Sequence, residues 1–523
     1  MKIKHIIPVL GLMACTASCS LLDTVPEGGA VTLDEDNITN DQLRGLVIGM
    51  YDELTGALNT FGSTDHTDYG IPSMHLRFDS DGMDVVSKKL GYNQFSSTLT
   101  YTDHMYDAGG TLFIWYRNYQ IIRKANDILK LIDANAEDAT RKSYIAEAKT
   151  LRAYAYLNLA QSYQFTYVGN EKKACVPILD ETMSFQDGNN NPRATVEKVY
   201  SFILADLDDA IAKFDVVKGQ VGRRDKMTVN ADVAHGLRAR TRLVMHDYKG
   251  AMTDAEAVLA AGYTPYTKAE ASQPNFINVN DHNFVWGLVY NENSYAVMTG
   301  IINWASHLCS FCANGYTTGG GVYRMINTNL FNRISPSDVR YGWWLDGASY
   351  SPNLESNQAY LDFVEAQKVE PYATVKFAPA NKDVNSTNNT QHYPMMRAEE
   401  MELIRIECMA HESLTSAKQA LTEFVSTYRD DSYQCYAQTL DDFIDEVWFQ
   451  RRVELWGEGF AYFDIMRLHK DIDRSNSNFE NDYQWIIKAD SPILLFRIPS
   501  AEISANNAIS DEDNNPVAPL PSI

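Results

Sequence analysis

The stretch QRRVELWGEGFAYFDIMR, residues 450–467, sets Glu454 and Glu458 four residues apart among arginines, glycines and aromatics. On one continuous helix the two would share a face, with Cβ atoms about 5–6 Å apart. Retaining glycosidases hold two carboxyl groups about 5–5.5 Å apart, but from opposite sides of the bond they cleave. Neighbours on one helix face lie side by side, so the match is in spacing alone. Ion pairing inside the cluster, with Arg451 and Arg452 as the nearby cations, is the expected role. Gly457 and Gly459 allow a break or a close approach after a helix over 440–456. The stretch therefore reads as a structural knot closing a helix.

Helical periodicity extends outward from it. Leu43, Leu46, Val47, Met50, Tyr51 and Leu54 recur at intervals of three and four, the stripe of an amphipathic helix. Long helical runs follow over 111–133 and 141–164, then one over 196–214. VNADVAHGLRARTRLVMHD and YKGAMTDAEAVLAAGY form a helical pair, with Asn230 as N-cap of the first. That pair is about the length of one tetratricopeptide hairpin, ~34 residues. A second hairpin is expected over 397–428. The fold class is thus mostly α: tetratricopeptide-like helical hairpins over about 37–261 and 397–523, interrupted by a large irregular, loop-rich insertion over about 262–396. Residues 59–109, rich in Gly, Asp, Ser, Thr and Tyr, read as a further long loop region.

The N-terminus sets the compartment. Lys2 and Lys4 precede an apolar run, and small residues precede Cys19. That order describes a secretory signal over 1–18 with lipidation at Cys19. Residues 19–36, with Pro26, Gly28 and Gly29, read as a flexible tether. Loss of Lys2 and Lys4 with the signal moves the net charge from −23 to −25, which repels phosphate backbones and excludes nucleic acid as a partner. The five cysteines beyond Cys19 are odd in number and form no disulfide framework.

Catalytic and metal motifs are weak. His307, Cys309 and Cys312 fall short of the four ligands that structural zinc takes; two buried thiols or a small local disulfide is the expected reading. DSDGMD, residues 79–84, lacks the glycine and glutamate placement of a calcium loop and reads as a solvated loop or helix start. No metal and no cofactor are expected. The insertion carries the functional signal. No Asp, Glu, Lys or Arg occurs between Glu292 and Arg324, and residues 301–350 hold nine aromatics.

The knot and several other segments together resemble the SusD/RagB family. Arg451 or Arg452, Glu454, Leu455, Gly457, Glu458, Gly459, Phe463, Asp464 and Arg467 match its near-C-terminal signature. EAKTLRAYAYLNLAQSY, RAEEMELIRIECMA and FRIPSAEISAN resemble further family segments, and the Leu-Asp-Thr-Val-Pro-Glu-Gly start agrees. The C-terminal DEDNNPVAPLPSI departs from the family's usual tail, which puts the tail contacts in question. The resemblance implies a lipid-anchored outer-membrane protein at the cell surface. It implies a protein that is not an enzyme, binds a nutrient and partners a TonB-dependent SusC-type porter.

Three function classes are open to such a chain: a glycan-binding uptake module, a glycoside hydrolase, and a helical scaffold that binds protein or peptide, as a RagB-like uptake lipoprotein does. Uncharged aromatic loops favour glycan, because a flat ring covers a sugar's apolar face while amides and hydroxyls answer its rim. No binding motif transfers from the family. Composition instead singles out Trp304, Tyr316, Tyr323, Arg324, Trp343 and Trp344 as ligand-binding candidates, with one of the adjacent Trp343 and Trp344 facing solvent. Asp68, Tyr69, His75 and Arg77 form a second group.

Overall fold

A computed structural model of the chain describes residues 38–521; Cys19, the signal segment and the tether lie outside the described residues. Twelve helices of seven residues or more carry the architecture among those residues. The first four are α1 (Asn40–Thr55), α2 (Ile71–Asp81), α3 (Gly109–Lys130) and α4 (Ala139–Tyr163). Next come α5 (Val196–Val216), α6 (Ala231–Val244), α7 (Tyr248–Ala260) and α8 (Gln358–Gln367). The last are α9 (Ala398–Ala410), α10 (Leu414–Tyr428), α11 (Leu440–Glu454) and α12 (Ala461–Arg467). Side-chain caps fix many of the starts. Asn230 accepts from the Val233 amide, and Thr39 with Gln42 forms a reciprocal capping box, satisfying amides that have no partner within the helix.

The scaffold helices pack in sequence. α4 lies between α3 and α5, α5 meets α6, and α6 pairs with α7. α7 then packs on α9, across the sequence gap left by the insertion, and α9 carries α10 and α11. The two scaffold segments are therefore one continuous helical stack. A short antiparallel pair, β1 (Phe284–Leu288) with β2 (Tyr393–Arg397), joins an early part of the insertion to its end and delivers the chain into α9. Val85–Val86 pairs with Met325–Ile326, so the first loop region is tied to the insertion as well.

Three expectations change. Residues 59–109 are not one long loop, because they contain α2. Every residue of α2 is buried, so it has no solvated face to generate an amphipathic period. Asp79, Asp81 and Asp84 of the DSDGMD stretch are likewise buried rather than solvated. α11 ends at Glu454 instead of 456, and Gly457 and Gly459 adopt φ of +82° and +87°, a left-handed region that favours glycine. The tail is held: Asn515 donates to the Tyr163 and Phe496 carbonyls, and Arg497 reaches Asp511.

Candidate functional site

The knot at 454–459 is a buried ionic lattice. Glu454 accepts from Arg429 Nε and Nη2 at 2.8 and 2.9 Å and from Arg397 and Arg340 at 3.3 and 3.4 Å. Glu458 accepts from Lys376 Nζ at 2.6 Å and from Arg397 Nη2 and Nε at 2.8 and 2.9 Å. Glu399 and Asp338 complete it, pairing with Arg397 and Arg340. Four cations thus face four carboxylates. The partners differ from those expected: Arg451 pairs with Asp464 and Arg452 with Asp84, while the cations that meet Glu454 and Glu458 come from distant segments. Burial alone pushes both glutamates' carboxyls up. The surrounding cations, Arg429 foremost at Glu454 and Arg397 at Glu458, outweigh it and hold both below the usual carboxylate range. Neither carboxylate is free to act as an acid.

All ten ligand-binding candidates from the sequence are buried. Trp304 donates its indole N–H to the Gln391 carbonyl at 2.9 Å and packs edge-on against Phe377 and Tyr393. Trp343 donates to Ala271 O, and Trp344 packs on Trp456. Neither faces solvent, contrary to the expectation for that pair, because both rings sit in the main hydrophobic core that the insertion shares with the scaffold helices. Asp68 pairs with Arg117, and His75 lies between the hydroxyls of Tyr154 and Tyr393.

Four of the ten, Tyr69, Arg77, Tyr316 and Arg324, do come together. The His307 ring is stacked between Tyr69, at 5.1 Å, and Tyr316, at 4.5 Å. Arg77 and Arg324 both lie over the Phe95 ring, at 5.2 and 5.5 Å, and Phe95 packs edge-on against His307. Tyr323 precedes Arg324 and is buried apart from this stack, with its hydroxyl unpartnered. Burial pushes the His307 imidazole well below its ordinary range and Arg324 adds to the shift, so the ring is neutral. Its Nε2 faces the His66 carbonyl at 3.0 Å and so carries the proton.

Beside this cluster three segments meet around the loop 313–321, which carries no formal charge. At one end Asn314 donates to Gly300 O at 3.3 Å, and Asn389 donates to both Gly300 O and Asn314 O at 3.0 Å. Gly300 closes the turn that carries Tyr295 and Met298, which are 55% and 62% exposed. At the other end Gly320 lies against Tyr92, which is 64% exposed; a Cβ on Gly320 would meet the Tyr92 Cβ at 3.1 Å. Two exposed tyrosines thus flank a Gly-, Asn- and Thr-rich loop without formal charge. Sequence reasoning found this stretch but not these rings; Gly91 beside Tyr92 and Asn293 and Ser294 beside Tyr295 were the local signals of turns that lift a ring outward. Segment 380–392 borders this loop through Asn389 and also lines a polar cleft of about 590 Å³ with Asn275, Asn278 and Asp281.

Two family models match the sequence. One, SusD-like and described as starch-binding associating with outer membrane, covers residues 72–218; the other, the SusD family, covers residues 349–516. The chain belongs to the SusD/RagB family. Its fold is that of solved SusD-like structures. A SusD-like carbohydrate binding protein from Bacteroides vulgatus superimposes with a TM-score of 0.74 at 20% identity, over 92% of this chain and 98% of that one. A laminarin binding SusD-like protein gives 0.63 at 16% identity, over 91% and 99%. Surface glycan-binding protein A from Bacteroides thetaiotaomicron gives 0.62 at 17%, over 91% and 99%. No curated protein matches the sequence. Among the described residues no group of His, Cys, Asp and Glu has the arrangement of a metal site, no helix is long and apolar enough to cross a membrane, and Cys309 and Cys312 are buried free thiols.

Proposed function

We propose that this SusD-family chain is a non-catalytic, cell-surface glycan-binding lipoprotein that captures oligosaccharide or polysaccharide and passes it to a TonB-dependent SusC-type porter. The observation that carries the glycan reading is the uncharged loop 313–321, with Tyr92 and Tyr295 exposed on the segments at its two ends. An exposed ring can cover the apolar face of a sugar, and neighbouring amide side chains suit sugar hydroxyls. The printed descriptions of the family and of its solved relatives point the same way. The glutamates of the signature are locked in ion pairs, which supports binding without turnover.

The ligand surface is assigned to Tyr92, Tyr295 and loop 313–321. The Tyr69–His307–Tyr316 stack and Arg324 form its floor; Trp304, Trp343 and Trp344 support the insertion from within. Replacing Tyr92 or Tyr295 with Ala is expected to weaken binding of a glycan selected by array screening by about 0.5–1.5 kcal/mol each, since each ring is a stacking platform. Isothermal titration of the two variants checks this. Wild-type affinity in both, with unchanged melting, would place the site elsewhere on the molecule.

Anchoring follows from the N-terminal sequence. In this reading residues 1–18 are cut away and Cys19 is acylated, which attaches the mature chain to the membrane. Cell fractionation of Cys19→Ala is expected to move the protein out of the membrane fraction, because a single chain change removes the lipid on which attachment depends. Retention of this variant in the outer membrane would refute lipidation at Cys19.

A further inference from the structure

Burying an arginine is expensive unless its charge is paired and its donors are used. Eleven arginines are buried among the described residues. Nine of them pair with a carboxylate: Arg77, Arg117, Arg152, Arg340, Arg397, Arg429, Arg451, Arg467 and Arg497. Arg474 has no carboxylate, but its donors are wrapped by the carbonyls of Ser80, Asp81, Gly82 and Leu99. Arg324 has neither solution. It is 0% exposed, its Nε donates to His307 O and its Nη1 to Asn93 Oδ1, both at 3.2 Å, and its Nη2 has no partner among the described residues. The sequence around it supplies no acid, since residues 293–323 carry none.

Three further buried polar atoms in the same cluster are unpartnered: the Tyr69 hydroxyl, His307 Nδ1 and Nε of Arg77, whose charge Asp103 already pairs. The Arg324 guanidinium and the phenol are donors, whereas Nδ1 of this tautomer is an acceptor. An oxyanion answers the first two and a hydroxyl answers the third. Both occur together on an acidic sugar. We propose that Arg324 is the specificity determinant for an acidic substituent, a carboxylate or sulfate ester, on the captured glycan. This rests on the glycan reading given above. The seam between turn 88–94 and loop 313–321 is the route: Tyr92 touches Gly320 there, Asn93 of the same turn holds Nη1, and Gly91, Gly319, Gly320 and Gly321 flank it. Displacing the turn brings the guanidinium to the surface beside the Tyr92 ring. Burial pulls the Arg324 guanidinium down to about 10, so the group remains cationic at neutral pH and available to an anion.

The test uses the chain on an array carrying neutral, uronate-bearing and sulfated oligosaccharides. The tightest binder is then neutralised, by carboxyl reduction or by desulfation, and both forms are titrated. The expected result is an acidic best binder whose affinity falls about tenfold or more on neutralisation, as loss of a charge-assisted hydrogen bond implies. In Arg324→Met the two forms bind equally, and in Arg324→Lys the acidic form is still preferred. The two neutralisation chemistries tell carboxylate from sulfate. A neutral best binder, an affinity unchanged by neutralisation, or an Arg324→Met variant that discriminates as the wild type does would each overturn the proposal. Tyr92→Ala keeps the two questions apart, because it should weaken both forms alike. Glycan binding that ignores charge sinks only the Arg324 inference, whereas an array with no binder at all sinks the glycan reading. Should Arg324→Met fail to fold, Arg324→Lys and the neutralised ligand on the wild type still decide.

Discussion

Glu454→Gln is expected to lower the unfolding free energy by about 3–5 kcal/mol at neutral pH, the range for breaking a buried ion pair from one side. The side chain keeps its shape and loses one charge. Arg429, Arg397 and Arg340 all donate to this carboxylate, and every member of the lattice is buried, so the remaining four cations face three carboxylates with no water to compensate. Glu370→Gln is the control. Its pair with Lys88 is about one-third exposed, and such pairs contribute ~0–1 kcal/mol. The pH dependence fixes the cause. Glu454 is held below its unfolded value, so its contribution is fully present above about pH 4.5 and is lost as pH falls toward the folded-state value. The gap between wild type and Glu454→Gln should therefore narrow from pH 7 to pH 3 in urea titrations. A loss no larger than that of Glu370→Gln at pH 7 would show that the lattice contributes little.

The same lattice shows why part of this molecule was legible in its sequence and part was not. α1, α3, α5, α6, α7, α10 and α11 announced themselves because one face of each packs inward and the other meets water, which prints a period. α2 prints none, because His75, Arg77, Asp79 and Asp81 are each met by a partner from elsewhere: Tyr393, Asp103, the Gly459 amide and His104. Partner choice was equally invisible. Glu454 and Glu458 were recognisable as paired, but their cations come from residues 340, 376, 397 and 429, positions no local spacing reveals. For the ligand surface, composition located the uncharged stretch before Arg324 but not the outward rings. Large aromatics in a loop-rich insertion serve either as its core or as its ligand platform, and only the fold separates Trp343 and Trp344, both inside, from Tyr92 and Tyr295, both outside.

Gly459→Ala is expected to cost about 2–5 kcal/mol, more than any other glycine-to-alanine change in the signature. Two terms add. The φ of +87° is unfavourable for a residue with a Cβ by about 1–2 kcal/mol. The new methyl would also stand 2.5 Å from His75 Cγ and 2.6 Å from its Cβ, and overpacking of this kind costs about 1–3 kcal/mol. His75 has no room to yield, since its ring nitrogens are each 3.2 Å from a tyrosine hydroxyl, Tyr393 and Tyr154. Retreat would forfeit both bonds. It would also disturb Asp79, which accepts from the Gly459 amide at 2.9 Å and whose carboxyl burial pushes up to about 7. Gly457→Ala has a similar φ but meets the rim of Phe377 at 3.0 Å and the Leu308 methyl at 3.4 Å, so it should cost less. Gly219→Ala isolates the backbone term, because its φ is +78° and nothing lies within 4 Å of the new methyl. Urea titrations should rank the three losses as 459, then 457, then 219. Equal losses at 459 and 219 would mean that His75 moves aside freely, and the tight packing of the signature against α2 would then not be what holds this corner of the fold.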